Sequence, residues 1–131
     1  MKRMLLVATL LVIVPSFLAL ANEYKIKGKA GNSNLEVRFD KNPPGRGNNS
    51  ISISIEDKAL QPVTDAQVQV RYLMPSFPGK EPMMESNTAA KLSGDHYLAQ
   101  IDLSMAGRWT IIVSVNRAGK TETKQFSFVV K

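Results

Sequence analysis

The chain has 131 residues, enough for one domain, with one histidine, no cysteine and a formal net charge of +6. Without thiols it can form no disulfide, no Cys-ligated zinc site and no Cys–His catalytic pair, and one histidine leaves no His-rich hydrolytic metal centre. Its basic residues are dispersed and carry no interleaved aromatic platforms, a pattern that excludes a nucleic-acid-binding stripe.

The first element is a leader. Lys2 and Arg3 precede an apolar run, residues 4–14, whose only polar member is Thr9. Pro15 and Ser16 break the run, and Ala19-Leu20-Ala21 forms a small-x-small cleavage site. This pattern predicts a signal peptide over 1–21, cut before Asn22, and a domain over 22–131. The competing reading is a retained anchor. Spanning a bilayer takes about 20 apolar residues, and Pro15 interrupts this run early, so no stable membrane span is expected after cleavage. Two of the 17 basic residues lie in the leader, so the exported part is mildly basic. A thiol-free exported domain fits the periplasm, or secretion.

Two weak strands come next, over 24–29 and 35–39, with a turn at Gly31-Asn32-Ser33-Asn34. Residues 42–49 read as a long polar loop. Ile51, Ile53 and Ile55 then alternate with Ser50, Ser52, Ser54 and Glu56, as expected for a strand with one buried and one wet face. Asp65 is expected to cap the turn before the next strand, in which Val68, Val70 and Tyr72 alternate with polar residues. A short strand over 88–92 and a turn at Ser93-Gly94-Asp95 lead to Tyr97, Ala99 and Ile101, again in alternation. Trp109, Ile111, Val113 and Val115 form a further strand, Arg117-Ala118-Gly119-Lys120 a hairpin turn, and Phe126, Phe128 and Val130 the last strand. Seven or eight strands with turns at this spacing predict an all-β, immunoglobulin-like antiparallel β-sandwich. Trp109 is expected between the sheets, its indole N–H needing a partner.

No catalytic constellation assembles. A Ser-His-Asp triad on His96 would have Asp95 as its chain neighbour, and no G-x-S-x-G motif occurs. Glu56, Asp57, Asp65 and Asp102 read as loop and strand-edge carboxylates. The chain is therefore expected not to be an enzyme.

The unusual stretch is MPSFPGKEPMM, residues 74–84, whose three prolines bar a helix or a central strand. It places Met74, Met83 and Met84 near one end of the sandwich. Met105, in the link before the Trp109 strand, adds a fourth sulfur, and His96 is the sole imidazole. Thioether sulfur is a soft, neutral ligand that suits Cu(I) and Ag(I) and stays usable where a thiol would be oxidised. Met74, Met83, Met84, Met105 and His96 are thus the candidate copper(I) ligands. Two other readings remain open: the methionines fill the core near Phe77 and Tyr72, or the loop docks on a partner.

Val63-Thr64-Asp65-Ala66, residues 68–72, Met74-Pro75-Ser76-Phe77-Pro78-Gly79, Gly94-Asp95-His96-Tyr97 and Leu103-Ser104-Met105-Ala106-Gly107-Arg108-Trp109 together resemble the YtkA-like domain family, itself similar to FixH-like proteins. The resemblance implies an immunoglobulin-like sandwich outside the cytoplasm. It also implies an association with heavy-metal efflux components and a copper-related role; for a docking loop, the expected partner is an envelope efflux or oxidase-assembly protein. Where relatives carry another methionine or a histidine in the loop, this chain has Phe77, followed after the glycine by Lys80 and Glu81.

Overall fold

The computed structural model describes residues 23–75 and 84–131. The expected leader, Phe77 and Met83 lie outside the described residues. Eight strands follow in chain order: β1 (Tyr24–Ala30), β2 (Ser33–Phe39), β3 (Gly47–Glu56), β4 (Gln67–Met74), β5 (Met84–Ser93), β6 (His96–Leu103), β7 (Gly107–Arg117) and β8 (Lys120–Val130). All neighbouring pairs are antiparallel, and the hydrogen-bonded order is β1-β2-β3-β6-β5-β4-β7-β8.

That path folds into two layers because β5 belongs to both. Residues 84–90 pair with β4, in one sheet with β7 and β8, whereas residues 91–93 pair with β6, in the other sheet with β1, β2 and β3. The alternating residues of each strand meet between the layers. Val37, Phe39, Ile51, Ile53, Ile55, Tyr97, Ile101 and Leu103 come from one sheet, and Val70, Trp109, Ile111, Val113 and Phe128 from the other. Phe39 and Phe128 join the layers directly, with ring centroids 5.0 Å apart. The expected antiparallel sandwich of seven or eight strands is the observed fold, with eight.

Local chemistry sets the turns. The hairpins at Gly31-Asn32, Gly94-Asp95 and Ala118-Gly119 are two-residue loops. Ala118 and Gly119 both have positive φ, 54° and 81°, which the type I′ turn of such a hairpin requires. The connection from β3 to β4 crosses between layers and is pinned by Tyr97. Its hydroxyl donates to the Val63 carbonyl at 3.0 Å and accepts from the Ala66 amide at 3.1 Å.

Three expectations need correction. β5 is ten residues long, not a short strand over 88–92, because its main chain pairs along β4 although few of its side chains are buried. β3 starts at Gly47, inside the expected loop. Asn49 is fully buried there; its amide nitrogen donates to the carbonyls of Gly45 (2.7 Å) and Gly47 (3.0 Å), holding the preceding turn. Asp65 accepts a hydrogen bond from the Arg117 guanidinium at 2.8 Å, a tie to β7 in place of the expected cap.

Candidate functional site

One end of the sandwich gathers the last residues of β4, the first of β5, the β6–β7 link and the start of β7. Met74 and Met84 are direct register partners across β4 and β5. Opposed residues in an antiparallel pair have Cα atoms about 4.5–5.5 Å apart and point to the same face, so the two thioethers rise side by side. Tyr72 and Ser86 are the next pair on that face. Met74 is buried, and Met84 is 37% exposed.

Each sulfur-bearing side chain meets the β6–β7 link differently. The Met74 methyl lies over Gly107, 2.8 Å from where a Cβ would stand, and the φ of +134° at Gly107 is what disfavours any side chain there. The Ser104 hydroxyl donates to the Met84 sulfur at 3.1 Å. That bond uses one sulfur lone pair and leaves the other. Met105 is 43% exposed, while its carbonyl accepts the buried Trp109 indole N–H at 2.9 Å, which supplies the partner the indole needs. Tyr72 packs against Trp109 with ring centroids 6.3 Å apart.

Between these elements lies a cleft of about 350 Å³, lined by Tyr72, Met84, Glu85, Asp102, Ser104 and Trp109 among others. Its charged wall is acidic, although Glu85 is ion-paired with Arg71 on its outer side. Among the described residues, no three His, Cys, Asp or Glu side chains converge as a ligand set. The distinctive donors of this end are thioethers, which favour soft ions.

The structure brings Met74, Met84 and Met105 to one end and separates His96 from them. His96 opens β6 at the opposite end, and seven residue steps of about 3.3 Å lie between it and Leu103. Its Nδ1 lies 3.1 Å from the Asp95 carboxylate. His96 therefore cannot complete a ligand set with Met84 or Met105. The sequence reading did not anticipate Ser104; a hydroxyl one residue before Met105 was the available signal.

A sequence comparison with curated proteins finds no relative. Among solved structures, the soluble domain of PmoD from Methylocystis sp. ATCC 49242 (Rockwell) is similar at 19% identity and a TM-score of 0.53, covering 82% of this chain and 96% of that one. FetP from uropathogenic E. coli strain F11, recombinantly expressed in the E. coli periplasm, is similar at 11% identity and a TM-score of 0.54, covering 82% and 95%. At these identities the likeness is one of fold. The family model described as YtkA-like matches residues 29–114, most of the sandwich, and the chain belongs to the YtkA-like family.

Proposed function

We propose that this chain is an exported, non-enzymatic envelope domain that holds a soft monovalent ion, Cu(I) or Ag(I), at its methionine end. Met84 and Met105 supply the accessible thioethers, and Met74 lies behind Met84. One observation carries the reading: the Met74–Met84 register pair sits beside the Ser104-Met105 link, over a cleft whose charged wall is acidic. Soft neutral sulfur provides the selectivity, and the Asp102 and Glu85 carboxylates favour a cation. The leader pattern and a fold shared with a protein expressed in the periplasm support the envelope as its place of action. The ion would be received from, or passed to, an efflux or oxidase-assembly partner.

Titration with Cu(I) against a chromophoric competing chelator tests this. One ion per chain is expected, with at least a tenfold loss of affinity when Met84 and Met105 are both replaced by leucine. Both side chains are partly exposed and leucine is similar in size, so the fold is retained. Binding unchanged in that double variant overturns the reading. The burial of Met74 favours a packing role for that one residue, in which case Met74→Leu alone leaves the affinity within about twofold.

A further inference from the structure

β5 crosses from one sheet to the other, and β6 does not follow it. Beyond the Lys91–Leu98 pair the two strands part, and among the described residues no strand pairs with the outer edge of residues 99–103 of β6. The Asp102 N–H points out of this edge and is met by the Tyr72 hydroxyl at 3.3 Å, a side chain standing where a neighbouring strand would be. Strand alternation aims the N–H and C=O of Gln100 the same way. Two clefts lie in line along the parting. One is the 350 Å³ cleft described above; the other, about 460 Å³, is lined by residues that include Ala89, Lys91, Leu92, Leu98 and Gln100. Three of the six large hydrophobic side chains exposed among the described residues, Met84, Leu92 and Leu98, border this seam.

Open main-chain groups flanked by exposed apolar side chains are what strand addition uses: hydrogen bonds supply affinity, and alternate side chains supply specificity. We infer that the seam receives an extended segment of another polypeptide, added antiparallel to β6. Antiparallel addition puts the N-terminal end of that segment beside Asp102 and Glu85 and its C-terminal end beside Lys91. Asp102 has no ion pair among the described residues. The segment accordingly carries a basic residue at its N-terminal end, an acidic one at its C-terminal end and β-branched residues at alternate positions between them. This inference extends beyond metal binding and does not depend on it, since Leu92 and Leu98 carry no donor atom for a metal.

The test uses the isotope-labelled exported chain and three end-capped peptides: KVTVTVE, the same peptide N-methylated at alternate residues, and the charge-swapped EVTVTVK. Expected are amide shifts at Gln100, Asp102 and along residues 84–91, with KVTVTVE binding at least fivefold tighter than either control. Equal binding of all three peptides overturns the inference, as do shifts confined to other strands. Concentration-dependent shifts of the seam amides without peptide also overturn it, by assigning the seam to a second copy of the chain.

Discussion

β3 and β5 are both ten residues long, and they are held by different forces. β3 is paired on both sides and buries Ile51, Ile53 and Ile55 in the middle of the core. β5 buries almost no side chain and exists because its main chain is paired first with β4 and then with β6. A strand can thus be specified by its own side chains or by the strands beside it, and only the first kind leaves a periodic mark in the sequence.

The contrast predicts where the fold breaks. Ile53→Ala opens a cavity in a fully buried position and is expected to cost about 2–5 kcal/mol in chemical denaturation. Asn87→Ala, at an exposed position of β5, should stay within about 0.5 kcal/mol. Comparable losses at the two sites would erase the distinction. Tyr97→Phe ranks next, at about 1–3 kcal/mol, because it leaves the Val63 carbonyl and the Ala66 amide without their partner while the ring still packs. Ala118→Asn should gain on the order of 0.5–1 kcal/mol, since asparagine tolerates the positive φ of this turn better than alanine, raising the thermal midpoint by a few degrees.

The smallest expected effect is electrostatic. The Arg38 guanidinium donates to the Glu36 carboxylate at 2.6 Å and holds its pKa below the ordinary value. A lowered carboxylate pKa contributes stability above its unfolded-state value and loses it as pH falls through the folded-state value. Glu36→Gln should therefore lower stability slightly near neutrality, a difference that shrinks and vanishes as pH falls through the folded-state value, so the acid limb of a stability–pH profile flattens. The pair faces solvent, which limits the size of the effect.

Where side chains make the structure, the sequence was readable. The alternations around Ile53, Val70, Tyr97, Ile111 and Phe128 located strands and core together, and the turn residues at Gly94 and Gly119 located hairpins. Where main chain makes it, the sequence was nearly silent. Ser86, Asn87 and Thr88 carry no alternating apolar signal, so the length of β5 and its change of sheet had no local trace. The candidate site falls between these cases. Methionine clustering near one end could be read from Met74, Met84 and Met105 once the strands were in order. The Met74–Met84 register, however, depends on the path of β5, and the Ser104–Met84 bond depends on the β6–β7 link folding back. His96 opens β6 and Met105 follows its end, so chain order already set the length of one strand between them. Replacing His96 with alanine should leave Cu(I) affinity within about twofold.

The shared strand also governs how the molecule breathes. Residues 84–90 of β5 stitch it to one layer and residues 91–93 to the other, so the two stitches differ in length. Thermal opening begins at the shorter one, and amides at 91–93 should lose hydrogen-exchange protection before those of β7 and β8. Each such opening frees more of β6, so the weakest fastening in the fold doubles as the latch that sets how far the parting between β5 and β6 can widen.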